Sequence, residues 1–195
     1  MRKFHRLEAP AFLKDKWEQW GQEWEQRRAA NPGVSFHWHK VEGERVNQKL
    51  LPTLKSQVQE HCSFCDLFPV SPPSNPTIEH FRPKTLFPRE AYQWENLYYC
   101  CDYCQGKGEA FDEALLRPDA EDYSFERYFR WDFTTGELKI NELASPADQE
   151  RAARTIQLYR LNQEHPLLRR LEAHKRSKML GHPLDDFAYR DFVAS

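Results

Sequence analysis

The stretch from Cys62 to Cys104 opens with "CSFC" at 62–65, closes with "CDYC" at 101–104, and holds "TIEHFRPKTLF" at 77–87 between them. Each Cys-x-x-Cys turn aims two thiolates at one point, and two such turns complete a tetrahedral zinc shell. A closed four-sulfur shell keeps no open coordination position, so an ion there holds the fold, and its binding energy counts toward folding. Cys100 also permits the spacing Cys100-x-x-x-Cys104; the repeated x-x interval favours Cys62, Cys65, Cys101 and Cys104 as ligands of a structural Zn²⁺. The 35 residues between the turns are too many for a bare turn. Fastening their ends would hold a small strand-turn-strand-helix unit that has little apolar core of its own.

At 195 residues the chain can bury one substantial core but hardly two large ones. Hydrophobic residues at 39% and charged residues at 30% make a globular composition. The N-terminus "MRKFHRLEAP" has no apolar segment after its basic residues, and no apolar run approaches the ~20 residues of a membrane helix. A cytoplasmic protein without a membrane partner is expected, and in a reducing compartment cysteines serve as ligands rather than disulfides. The formal net charge of −2 excludes a generally basic nucleic-acid binder, so any phosphate-binding surface is local. Residues 145–180 carry eight Arg or Lys (Arg151, Arg154, Arg160, Arg169, Arg170, Lys175, Arg176, Lys178) against Asp148, Glu150, Glu164 and Glu172.

Outward from the cysteine turns, the periodicity predicts flanking helices. Leu13, Trp17, Trp20 and Trp24 form one stripe of a helix over about 10–29, which "NPGVS" ends. A tryptophan stripe at this spacing is core first and partner surface second. Val46, Leu50, Leu51, Leu54 and Val58 outline a second helix, with Pro52 at a kink or in its first turn. "SPPSNPT" at 71–77 reads as loop. Residues 128–141 alternate aromatic and polar residues around Thr-Thr-Gly, a β-hairpin. Ser145, Pro146 and Asp148 then start a helix through Tyr159. After "NQEHP", Leu167, Leu168, Leu171 and Met179 support a last helix whose other side is basic and either tracks a nucleic-acid backbone or is simply solvated. His37-Trp38-His39 has the alternation of a metal-binding strand, a pattern that is usually structural. The expected fold is α+β and mainly helical. Residues 1–60 form a helical segment suited to partner docking, 61–110 the zinc-stapled core, and 111–195 the hairpin and basic helices packed on that core as one domain.

Within the clamp, the requirements of phosphodiester hydrolysis can be matched to residues: a base, a hard ligand for a divalent cation, and cations to seat the backbone. His80 has an ordinary pKa suited to a base near neutrality, and Glu79 supplies a carboxylate for Mg²⁺ or Mn²⁺. Adjacent strand residues point to opposite faces, so both reach one phosphate only where the backbone turns or the ion sits at the strand edge. Arg82 and Lys84 are candidate phosphate contacts, and Pro83 between them favours an extended loop.

These features together, Cys62-x-x-Cys65, "IEHFRPK" from Ile78, "WENL" from Trp94 and Cys101-x-x-Cys104 followed by "QGKG", resemble the HNH endonucleases with a ββα-metal site. The subgroup they resemble is the small HNH subunit of Septu-type and retron-associated anti-phage systems, with a weaker likeness at "ALLRPDAED" from Ala114 and "TIQLYRLN" from Thr155. The resemblance implies a ββα-metal core and a metal-dependent endonuclease, with DNA favoured over RNA. In it His80 is the base, Asn96 orients the loop that carries the base, Glu79 and Gln105 hold the divalent ion, and Arg82 or Lys107 steadies the phosphate. It also implies an ABC/SMC-like ATPase partner that controls cleavage in defence. Two departures stand out. Gln105 occupies the position where the family usually has His or Asn, and Lys107 follows it by two residues rather than three. The competing expectation is a zinc-stapled adaptor that binds nucleic acid or protein and cuts nothing.

Overall fold

The computed structural model describes residues 1–70, 75–180 and 183–194, with all their side chains except those at 164, 165 and 178–180. Residues 71–74 of the expected proline loop, and Lys178 and Met179 of the last helix, therefore fall outside the described residues or side chains. Pro76 and Thr77, read as loop, begin a strand instead.

The tryptophan stripe forms two helices rather than one, α1 (Ala11–Lys14) and α2 (Trp17–Ala30), divided by a turn at Asp15 and Lys16. Leu13, Trp20 and Trp24 are buried and Trp17 half-buried, so the stripe is core. Gly21 is the close point: a Cβ there would lie 2.1 Å from the Arg89 carbonyl oxygen. Strands β1 (Lys40–Val41) and β2 (Glu44–Arg45) form a minimal hairpin that the sequence reading missed. Its turn residues Glu42 and Gly43 both have positive φ, 53° and 84°, as a type I′ turn demands. Helix α3 (Val46–Gln57) buries Val46, Leu50 and Leu54 and carries Pro52 in its interior, not in its first turn.

The central unit is β3 (Pro76–His80) paired antiparallel with β4 (Leu97–Cys101), followed directly by α4 (Asp102–Gln105). Glu79 faces Tyr98 and His80 faces Leu97 in register. Every residue of β4 is buried, because the N-terminal arm and helices α3 and α4 pack on it. Arg6 donates to the carbonyls of Trp94 and Leu97, each at 2.9 Å, and the Trp94 indole donates to the Leu7 carbonyl at 2.7 Å.

Beyond α4 come α5 (Phe125–Tyr128), the hairpin β5 (Phe129–Asp132) and β6 (Glu137–Ile140), α6 (Pro146–Leu158), α7 (Glu164–Leu180) and α8 (Arg190–Val193). Ser145 caps α6 by accepting from the Asp148 amide at 3.2 Å, as its sequence predicts. The break before α7 falls at 160–163, so the "EHP" triplet lies inside the first turn, where proline sacrifices no helical bond. Arg170 is not part of a solvated basic face. It is 1% exposed, its guanidinium lies 4.9 Å from the Trp131 ring, and it donates to the Gly136 carbonyl at 3.0 Å. Among the described residues the fold is α+β, with eight α-helices and three two-stranded antiparallel sheets. No helix among them is long and apolar enough to cross a membrane.

Candidate metal centre and the adjoining cleft

The backbone brings both cysteine turns to one point. One sulfur each from Cys62, Cys65, Cys101 and Cys104 lie within 4.8 Å of one another, all buried. Zn–S bonds of about 2.3 Å in a tetrahedron put sulfurs roughly 3.8 Å apart, and the Cys65 and Cys101 sulfurs are 3.7 Å apart. Four thiols of this spacing fit a zinc ion. Backbone amides support the turns, Cys101 N to the Cys62 sulfur at 3.5 Å and Cys104 N to the Cys101 sulfur at 3.4 Å. Cys100 stands outside the quartet and donates its S–H to the Cys101 carbonyl at 3.1 Å. The two spacings left open by the sequence thus separate in favour of Cys101. Phe64, inside the first turn, stacks on Tyr159 at 4.1 Å, and Leu116 N donates to the Thr155 hydroxyl at 3.0 Å. The segment from Thr155 therefore walls the centre, and the one from Ala114 packs against that segment.

Beside it lies a cleft of about 360 Å³ lined by Ile78, Glu79, His80, Lys84, Gln105 and Glu109, among others. Among the described residues strand β3 has β4 as its sole sheet partner, which leaves its far edge for the cleft. This is how neighbours on a strand come to line one space. His80 is the last strand residue, 7% exposed, with Nε2 3.0 Å from the Ala91 carbonyl oxygen. A carbonyl only accepts, so Nε2 carries the proton and Nδ1 keeps its lone pair. Burial first, then the charge of Lys84, pushes the imidazole pKa down to about 3, so the ring is neutral at pH 7. Glu79, 5% exposed, moves the other way. Burial raises its carboxyl to about 7, against the opposing charges of Lys107 and Lys84.

The remaining expected residues divide. Asn96, buried, ties the loop after β3: its Oδ1 accepts from Arg82 N at 2.7 Å, and its Nδ2 donates to the Arg82 and Glu90 carbonyls, each at 3.0 Å. Gln105 reaches the cleft with its amide nitrogen 3.5 Å from the Ile78 carbonyl. Arg82 turns away to pair with Glu90 at 3.0 Å and Glu113 at 3.1 Å, lining a different hollow. Lys107 is no open phosphate contact either. Its side chain has 0% exposure, with Nζ 2.9 Å from Glu79 Oε1 and within 3.4 Å of the Phe81, Gly108 and Ala110 carbonyls. The cation in the cleft is Lys84. Glu109, also there, was missed because an exposed acid after "GKG" has no sequence signature.

Glu79 and Gln105 offer one carboxylate and one amide to a hard divalent ion. Mg²⁺ accepts such a sparse set, since it keeps several waters and binds substrate phosphate. A buried imidazole with a free lone pair, a carboxylate and a lysine around one cleft can move a proton and seat an anion. A scan against protein-family models finds no match to this chain, and a search of curated proteins finds none.

Proposed function

We propose that the chain is a metal-dependent endonuclease of the HNH type, hydrolysing nucleic-acid phosphodiesters with DNA favoured. The observation that carries this reading is His80 at the end of β3. One nitrogen is tied to the Ala91 carbonyl, and the ring shares a single cleft with Glu79, Gln105 and Lys84 on a strand-strand-helix unit beside four clustered thiols. Nδ1 of His80 takes a proton from water as it attacks phosphorus. An anionic ester beside the ring offsets the field of Lys84 and raises the basicity of Nδ1. Lys84 seats a non-bridging oxygen, and Asn96 keeps the loop between His80 and Ala91 closed. Glu79 and Gln105 would hold Mg²⁺ or Mn²⁺, which supplies charge neutralisation at the phosphorane and the leaving oxygen. Zinc in the thiolate shell has no open position and serves the fold. The resemblance further supports an effector role in anti-phage defence under an ABC/SMC-like ATPase partner.

One observation favours the adaptor reading: the Glu79 carboxylate already has a buried counter-ion in Lys107. Plasmid incubated with Mn²⁺ or Mg²⁺, with and without EDTA and with the ATPase added, separates the two. The nuclease makes ion-dependent breaks that fall by at least ~10²-fold in His80→Ala and in Glu79→Gln, with zinc content unchanged. Equal cleavage by wild type and both variants rejects it.

A further inference from the structure

His37 and His39 do not form a metal site: His37 lies against Arg27, His39 pairs with Glu23 at 3.3 Å, and among the described residues no third ligand joins them. The residue between them reaches His80. The Trp38 indole stacks on the His80 imidazole, with centroids 5.5 Å apart and planes 21° from parallel. Phe36 meets the same imidazole edge-on at 5.6 Å and 83°, and touches Trp38 at 5.2 Å. Tyr92, next to the carbonyl that binds His80, packs edge-on against Trp38 at 5.4 Å and donates its hydroxyl proton to the His37 carbonyl at 2.8 Å.

We propose that Trp38, backed by Phe36, is a positioning residue for His80, and that residues 34–39 act as an aromatic strap fixing the imidazole plane. The catalytic consequence rests on the nuclease reading, whereas the stack rests on geometry alone. The Cβ–Cγ bond and a single hydrogen bond at Nε2 lie close to one axis, about which the ring plane can still swing. A flat neighbour against its face removes the swing and keeps Nδ1 aimed into the cleft. Such precision matters, since a displacement of about 1 Å at a reacting group costs on the order of 10²-fold in rate. Offset-stacked aromatic pairs supply the restraint without a charge that would disturb the base. The strap is itself anchored by α2: Trp24 packs edge-on to Phe36 at 5.2 Å and donates its indole N–H to the Lys84 carbonyl at 2.8 Å. One helix thereby sets the strap and the loop bearing the cleft lysine together.

The test uses the full zinc-loaded chain and two readouts. By NMR, the His80 ring protons of the wild type show Overhauser contacts to the Trp38 indole and a ring-current shift, both lost in Trp38→Leu and partly kept in Trp38→Phe. In cleavage assays Trp38→Leu lowers kcat about 10- to 100-fold with KM nearly unchanged, and Trp38→Phe recovers most of it. A merely structural role would instead lower the melting temperature while leaving the kcat of the folded fraction intact. Absence of the contacts in the wild type, or a Leu variant with wild-type kcat, overturns the inference. If Trp38→Leu does not fold, the Phe variant and the wild-type contacts decide. If no Mn²⁺-dependent cleavage depends on His80, the nuclease reading fails, and the Overhauser contacts alone judge the stack.

Discussion

Lys107 has no exposed side-chain surface, and its ammonium sits 2.9 Å from a carboxylate that burial works to protonate. Removing one member of a buried pair ordinarily costs about 3–5 kcal/mol because a bare charge is left behind. Glu79 has an escape: its folded pKa, about 7 against 4.5, lets it take up a proton instead. A carboxyl whose pKa is raised on folding contributes stability that is complete below 4.5 and lost as the pH climbs through about 7. Lys107→Met raises that pKa further; the unfolded value is shared by both proteins and cancels, so the variant's deficit is flat at acid pH and widens only as the pH climbs through about 7. At pH 7 the titration contributes only about 0.4 kcal/mol, and each pH unit above it adds up to about 1.4 kcal/mol. Urea denaturation of zinc-loaded protein without added divalent ion checks this, and a deficit independent of pH contradicts it. The same residue shows how far the sequence could be read. The structure brings Glu79, His80 and Gln105 to one cleft and sets Asn96 in the loop beside it, because their order along the chain is local and tied to the two strands. Of the expected cations the structure places Lys84 in the cleft and not Arg82 or Lys107, since long flexible side chains follow their partners. Glu90 and Glu113 draw Arg82 away from the cleft, and the Phe81, Gly108 and Ala110 carbonyls take Lys107 inward.

Among the elements, α2 is held against the short helical turn at Pro88–Glu90 by the absence of a side chain at Gly21. The ion pair between Arg89 and Glu25, at 2.8 Å, is half exposed and adds little. The close approach itself fixes where the 82–92 loop lies, and hence where Lys84 and Ala91 stand beside His80. Gly21→Ala puts a Cβ 2.1 Å from a backbone oxygen, a clash that no rotamer relieves. We expect a loss of about 1–3 kcal/mol, read as a lowered denaturation midpoint. Gly21→Ala with unchanged stability would mean that α2 does not approach so closely. Element starts with local chemistry were legible, Ser145 and Pro146 before α6 above all. The burial of Arg170 was not: its neighbours Trp131, Gly136 and Tyr189 come from the hairpin and the C-terminal turn, and a helical wheel of α7 carries no trace of them. Nor was the division of α1 from α2, for the tryptophan spacing continues across the turn.

For the molecule as a whole, the zinc-type centre is fastened by a latch that no local pattern encodes. Asp66 follows the first cysteine turn, donates its amide proton to the Cys62 carbonyl at 2.9 Å, and accepts from the Arg190 guanidinium at 2.8 Å and from the Arg190 amide at 2.6 Å. The two partners are 124 positions apart, and both side chains are almost wholly buried, 4% and 5% exposed. Their pairing joins α8 to the knuckle that supplies Cys62 and Cys65. Four thiolates and this pair therefore bear on one short turn. Arg190→Met leaves a carboxylate buried without its counter-ion and costs about 3–5 kcal/mol in urea denaturation. The knuckle is also expected to open more often, so a colorimetric zinc chelator draws the ion out faster from the variant than from the wild type. Complete chelation of the wild type should loosen the two cysteine turns, because the ion's binding energy counts toward the folding of the segment it fastens. Arg2, which pairs with Asp191 at 3.4 Å, serves as the control: Arg2→Met removes a half-buried cation from the same end of the molecule and should leave zinc release as in the wild type. Equal release rates for the Arg190 variant and this control would show that the latch stabilises the C-terminal turn alone and does not guard the metal.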